Sequence, residues 1–281
     1  MTGSEVRDGR RRGLLASVMA LTLLWGGGAA WSQGSGALDQ GYAAWDSLLK
    51  KHVRWLPDGK QSQVNYRGFA ADRAELKKIL TEWSALPAST FSTLAKEQQM
   101  AFLINAYNGF TVELILSKYP DLKSIKDLGN LFQSPWKKKF FKLLGEERHL
   151  DWIEHEQLRP NYADPRVHGA VNCASIGCPA LRPEAFKAAL LDAQLEDGMR
   201  RFMADRSRNR YGAGKAEISA IFDWFRADFE KGHKGFNKLA DLLARYADVL
   251  ADAPADREKL KSGTVAISHL EYDWSLNDSA R

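Results

Sequence analysis

Cysteine is nearly absent from this chain, which has two, Cys173 and Cys178, among 281 residues. Two cysteines exclude a small disulfide-stapled scaffold, and a chain of this length can bury an ordinary core without one. There is no C-x-x-C pair, which counts against a thiol oxidoreductase that cycles these two residues. No repeat recurs at a solenoid or propeller period. Charge of one sign is also scarce: 40 Lys and Arg are interleaved with 35 Asp and Glu, for a formal net charge of +5. A nucleic-acid partner is therefore not expected. The densest basic runs are Arg10 to Arg12 and Lys137 to Lys139, and the second lies in an aromatic strand pattern. What the chain does have is 44% hydrophobic and 11% aromatic residues, including nine Trp and thirteen Phe, the composition of a globular protein.

The N-terminal segment reads as an address rather than as structure. Arg7, Arg10, Arg11 and Arg12 form a basic region, Leu14 to Trp25 an apolar one, and Gly26 to Gly28 break it. Ala30-Trp31-Ser32 supplies small residues before a cut ahead of Gln33. This predicts a secretory signal peptide over 1–32, a linker over 33–37 and an exported domain over 38–281. Retention as an anchor is the alternative, but the apolar stretch is short for ~30 Å of hydrocarbon. No later segment is long and apolar enough to span a membrane, so the expected location is periplasmic or secreted, with a substrate or partner in the cell envelope. An oxidising compartment permits a disulfide.

Hydrophobic periodicity predicts helices over 38–52, 69–83 and, most strongly, 96–118. The last is apolar almost all round, so it is expected to be buried. Its polar members are then informative: Asn105 and Asn108 share a face, and Glu113 lies near the other end. Further expectations are a short strand at 61–66 and a hairpin from Trp136 to Leu150. A short helix over 152–158 should stop at Pro160, and a strand over 166–171 should run into Asn172 and Cys173. A helix should run from Pro183 to about Arg206. Later come helices over 220–230 and 236–250 and a strand over 264–272. The balance predicts an α+β fold, a helix-rich single domain with a small mixed or antiparallel sheet.

Reactive residue types concentrate between 154 and 183: Glu154, His155, His168, Cys173, Cys178 and Arg182. Three arrangements compete. Cys173 is a nucleophile held as thiolate by a histidine. His168 faces it only if the strand bends, since odd offsets lie on opposite faces, and His155 is the other candidate base. Alternatively, Cys173 and Cys178 form a disulfide that pins the loop. In the third arrangement a histidine joins both cysteines around zinc, but C-x4-C lies at the edge of zinc spacings, and no metal is expected. Bland alternatives stand beside these: His155 as a helix-end cation, Asn105 and Asn108 as structural amides, and Trp274 as core.

The runs Ala101-Phe102-Leu103-Ile104-Asn105-Ala106-Tyr107-Asn108, Leu150-Asp151-Trp152-Ile153-Glu154-His155 and Asp164-Pro165-Arg166-Val167-His168 resemble the DUF547 family. So do Asn172 to Pro183 and Tyr272-Asp273-Trp274-Ser275-Leu276-Asn277. The resemblance spans about 38–278. It implies an intact family fold with a special site, in an exported bacterial member. The family label denotes unknown function, so no reaction is implied.

The leading expectation from the residues is a thiol-dependent hydrolase or acyl transferase without a cofactor. Cys173 is the nucleophile, His155 or His168 the base, and Glu154 orients it, while Asn105 or backbone amides serve the oxyanion. Asn108, Asn172, Arg182 and Trp274 are the candidate substrate contacts. The rival is a non-catalytic binding or scaffold protein with a disulfide-pinned recognition loop.

Overall fold

The longest apolar helix organises the fold. The computed structural model describes Asp39, residues 41–130 and residues 132–280, so the signal peptide and linker expected over 1–37 lie outside the described residues. Helix α5, Lys96–Leu116, is buried from Gln99 to Val112 without a break. It starts where the Gln98 side chain accepts from the Ala95 N–H at 2.9 Å, closing one of the free donors at the helix start. Around it pack α1 (Ala43–His52), α2 (Tyr66–Ala71), α3 (Arg73–Ser84) and α4 (Ala88–Thr93). Glu113 is not part of any site; it holds the Arg73 guanidinium at 2.7 Å.

Two antiparallel pairs flank this cluster: β1 (Val53–Trp55) with β2 (Ser62–Val64), and β3 (Phe141–Leu143) with β4 (Glu146–Arg148). The second half packs α7 (Leu191–Ala204) against a mixed sheet. There β5 (Arg210–Gly212) runs antiparallel to β6 (Lys215–Ser219), and β6 runs parallel to β7 (Ala266–Leu270). Helices α8 (Ile221–Trp224), α9 (Leu239–Arg245), α10 (Ala247–Leu250) and α11 (Pro254–Lys261) complete it; the short α6 belongs to the turn described next. This is the helix-rich α+β domain that the periodicity predicts. Its apolar residues form two clusters. One is centred on Phe102, Trp45 and Phe69, the other on Phe202, Phe222 and Phe229. Among the described residues, no helix is long and apolar enough to cross a membrane.

Three local expectations need correction. The segment 152–158 is helical but does not stop at Pro160. It is a wide π-turn, Trp152–Leu158, that continues as α6, Arg159–Asn161. Proline is tolerated there because it falls in the first turn of the new α segment, where no intrahelical donor is needed. The strand expected at 166–171 is a 3-10 turn, Pro165–Gly169, capped by Asp164, whose side chain accepts from the Arg166 N–H. The helix expected from Pro183 begins only at Ala188, because 185–187 are held extended by side chains. Asn105, Asp46 and Gln194 accept from the N–H groups of Phe186, Ala185 and Lys187.

Helix α7 sits hard against the 3-10 turn. A Cβ on Gly198 would meet the Gly169 carbonyl oxygen at 2.9 Å. The absence of a side chain at this crossing lets the turn carrying His168 press into the core.

Candidate active site

The π-turn, the 3-10 turn and the cysteine loop converge on one cleft where the two apolar clusters meet. It is a cavity of about 200 Å³ lined by Tyr107, Asp151, Glu154, His155, His168 and the cysteine pair, and closed by Trp136, Trp224, Phe225, Tyr272 and Trp274. The wide turn matters here. Widened helical turns re-aim side chains and recur at functional sites. This one presents Asp151, Glu154 and His155 to a single cavity.

Glu154 is fully enclosed. Burial raises its pKa to about 7, against a hydrogen bond from the Tyr107 hydroxyl and reinforced by nearby Asp151. A carboxyl in that range stores a proton near neutrality and can deliver it. The next group inward is His168, whose Nδ1 faces Glu154 Oε1 at 3.8 Å and whose Nε2 bonds Asp228 Oδ2 at 2.9 Å. The imidazole lies flat on Phe225, with centroids 4.1 Å apart. Burial lowers its pKa and outweighs the pull of Asp228, so the ring is held neutral. With Nε2–H donated to the carboxylate, the Nδ1 lone pair faces the Glu154 carboxyl.

Asp228 anchors the array. Burial would raise its pKa, but hydrogen bonds from His168, Arg159 (2.5 Å) and Lys231 (2.8 Å) hold it well below the usual carboxylate range. His155 is half-exposed nearer the mouth. Its Nδ1 accepts from Arg159 at 2.7 Å, its Nε2 lies 3.6 Å from Asp151, and burial lowers its pKa.

Cys173 and Cys178 are bonded to each other, with Cα atoms 6.2 Å apart, so neither sulfur is a free thiol in this structure. The Tyr272 hydroxyl lies 3.1 Å from each sulfur. Tyr272 reaches them over Gly177, where an added Cβ would meet the ring at 2.8 Å. The loop is stitched to the C-terminal segment by Ile176 N–H to Ser275 O and Gly177 N–H to Asp273 O, both at 2.8 Å. Ala174 takes the left-handed conformation (φ 64°), braced by its N–H to the Asn172 side chain at 2.9 Å. Strained backbone held by side-chain bonds is common where a loop must present a surface.

The structure therefore places Glu154, His155, His168, Cys173 and Trp274 in the cavity lining and four other sequence candidates outside it. Asn105 does not reach the cleft. Both ends of its amide clamp Phe186, donating to the carbonyl at 2.8 Å and accepting from the N–H at 3.0 Å, and it is not part of the cavity lining. Asn108 braces the Ala170 carbonyl and the Asn172 N–H. Asn172 donates to the Pro179 carbonyl at 2.8 Å inside the loop. Arg182 pairs with Asp197 and, at 3.5 Å, with Glu184. Among the described residues, no group of three or more His, Cys, Asp or Glu is placed to hold a metal ion.

Sequence reasoning missed Asp228, Arg159, Phe225 and Trp224. Asp228 is sixty positions from the histidine it holds, and no local pattern ties the two together. Tyr272 stood in the C-terminal motif without a role.

The fold and cleft define a helix-rich α+β protein whose site is assembled at the seam of two apolar clusters. Residues 91–203 match the model of the family DUF547, described as a protein of unknown function, and the chain carries a domain of that family. The matched stretch contains Glu154, both histidines and both cysteines, while Trp224, Asp228, Tyr272 and Trp274 lie beyond it. No curated protein matches the chain. No solved structure matches it either.

Proposed function

We propose that the cleft is a hydrolytic site that works by carboxyl and imidazole acid–base chemistry. The observation that carries this reading is the Glu154–His168–Asp228 array, buried at one end and open to the aromatic-walled cavity at the other. Glu154 gives its proton to the leaving group. Asp151, in the same cavity, takes a proton from the attacking water, whose hydroxide adds to the electrophilic carbon. Between turnovers Asp151 releases the proton it took from water and Glu154 takes one up again from solvent, while neutral His168, fixed by Asp228, holds its Nδ1 lone pair toward the Glu154 carboxyl. The disulfide acts as a pin in the wall. A compartment that preserves disulfides suits this bond, and we infer export from the basic and apolar segment over 1–32.

Activity is expected to fall as pH rises through about 7, where Glu154 loses its proton, and to fall on the acid side as His168 becomes charged. Glu154→Gln keeps the shape without the proton. Assayed on ethyl acetate and methyl N-acetyl-β-glucosaminide, whose alkoxide leaving groups need a proton to depart, it is expected to lose about 10²- to 10⁴-fold in rate. Its residual rate should lack the alkaline fall. A wild-type protein inert on both compounds, or a variant as fast as wild type, overturns the reading.

One observation favours a second reading: Cys173 lines the same cavity as His155, His168 and Glu154. Two-electron reduction by a dithiol would release Cys173 as a thiol nucleophile and Cys178 as a second thiol. Running the same assay with and without dithiothreitol separates the two. Activity that requires the reductant and vanishes in Cys173→Ala would install the thiol mechanism in place of the carboxyl one.

A further inference from the structure

Much of the cavity lining is aromatic: Tyr107, Trp136, Trp224, Phe225, Tyr272 and Trp274. Trp224 and Trp274 lie nearly parallel (20°) with centroids 5.7 Å apart, Tyr272 sits 4.4 Å from Trp274 and 4.9 Å from Trp224, and Trp136 meets Trp274 edge-on at 5.7 Å. These rings come from three separate stretches of chain, with Tyr272 and Trp274 on the same one. Trp224 is 48% exposed. A large ring left in water at the mouth of a cavity gains by being covered. Asp151, Glu154 and His155 line the same cavity. The site therefore combines apolar rings with hydrogen-bonding groups.

Charge narrows the occupant. Four rings with carboxyls in the same cavity would suit a quaternary ammonium, but cations already lie over Trp274 and over the neighbouring Phe225. Lys126 Nζ lies 3.8 Å over the Trp274 ring, and the Arg159 guanidinium lies 4.9 Å from the centre of Phe225. A cationic ligand would meet these two charges. An anionic ligand would meet the Asp151 carboxylate. A neutral aromatic ligand would cover the rings but leave the buried polar groups of the cavity without partners, at a cost of about 1–3 kcal/mol each. A cavity of about 200 Å³ is below the ~300–1,000 Å³ typical of drug-sized ligands and suits a single ring.

We infer that the cleft binds a neutral sugar ring of an oligosaccharide, stacking one C–H face of the pyranose on the exposed Trp224 ring, which Trp274 backs, while its hydroxyls bond Asp151, Glu154 and His155. Neighbouring sugars of the chain extend out of the mouth past Trp224. This deepens the hydrolase reading by naming its substrate class, and it rests on that reading for turnover but not for binding.

The test is a titration of the full chain with chitotriose and cellotriose, followed by tryptophan fluorescence, with choline and benzamide as competing probes. At least one trisaccharide is expected to bind and to shift the emission. Trp224→Ala should weaken that binding about tenfold or more, and Trp224→Phe, which keeps a ring, should restore most of it. Circular dichroism of both variants checks that the fold is intact, as the exposed position of Trp224 leads one to expect. Binding by neither trisaccharide, equal binding in Trp224→Ala, or tighter binding of choline or benzamide overturns the inference. Glu154→Gln separates the two levels. Sugar binding that depends on Trp224, with turnover unaffected by Glu154→Gln, removes the acid–base reading alone. Ester hydrolysis that depends on Glu154, with no sugar bound, removes the substrate class alone.

Discussion

Asp228→Asn is expected to lower the hydrolytic rate about 10²-fold while moving the acid limb of the pH profile to lower pH. In the native chain one carboxylate accepts from His168 Nε2, Arg159 Nε and Lys231 Nζ. Asparagine keeps the volume and one acceptor oxygen but removes the charge, and it brings a donor where three donors already point. His168 is then no longer fixed against Glu154. Losing an orienting carboxylate commonly costs 10- to 100-fold or more where ring geometry matters. The sign of the pH effect follows from the electrostatics. Burial lowers the His168 pKa, and Asp228 is the group that raises it. Removing that charge lowers the pKa further, so the ring stays neutral to more acid pH. A purely structural defect would reduce the rate without moving the limb. An unshifted limb, or a rate within twofold of wild type, would remove Asp228 from the mechanism.

The same array sets how stability depends on pH. Burial raises the Glu154 pKa in the folded state, so its contribution is fully present below the ordinary carboxyl range and is lost as pH rises through about 7. The His168 pKa is lowered, so its contribution is present above the ordinary histidine value and is lost as pH falls through the folded value. The two groups oppose each other and leave a window near neutrality in which Glu154 is protonated and His168 is not.

The second large effect is expected from Arg166→Ala, which should destabilise the fold by about 3–5 kcal/mol. Arg166 is almost wholly buried, two residues before His168. It holds Asp164 at 2.7 Å, Asp192 at 2.5 Å and Glu196 at 3.0 Å. Burial opposes its charge, but the three carboxylates outweigh that and raise its pKa. Truncation leaves Asp164 buried with only the more distant Lys234, at 3.5 Å, as counter-charge. It also leaves the carboxylates repelling one another across the join between the 3-10 turn and α7. Urea denaturation at pH 7 measures the loss. The gap should narrow as pH falls from 4 toward 2, because Arg166 holds the Asp192 carboxyl down to about 2 and that stabilisation is lost as it takes up its proton, whereas a pure packing loss would be insensitive to pH. A loss below about 1 kcal/mol would mean that the network does not anchor the turn.

Much of the fold was legible because it is periodic. Helix α5 announces itself by being apolar on every side, and residues 101–116 are buried almost throughout. The β3–β4 hairpin appears around its Gly145 turn. The segment 166–171 misled because a short apolar run has no period long enough to distinguish a strand from a 3-10 turn. That error had a consequence, since strand parity set His168 and Cys173 on opposite faces. In the turned backbone both reach the same cavity. The start of α7 was misplaced for a different reason. Pro183 is a good helix-starting residue, but the side chains of Asn105, Asp46 and Gln194 bind the next backbone donors from other parts of the molecule.

The sequence by itself determined the helix-rich α+β class, the buried central helix and the short stretch where Glu154, His155, His168 and the cysteines crowd together. Those features are local, since periodicity, capping and composition act over a few turns of chain. Only the tertiary structure decided what the crowd does. It spent Asn105, Asn108 and Asn172 on backbone carbonyls and amides, because buried amides must satisfy their own donors and acceptors. It joined Cys173 to Cys178, an outcome that the spacing allowed but did not require. It supplied Asp228 and the ring wall of Trp224, Tyr272 and Trp274 from the far end of the chain. Burial, which no residue carries in its own identity, raised the Glu154 pKa to about 7.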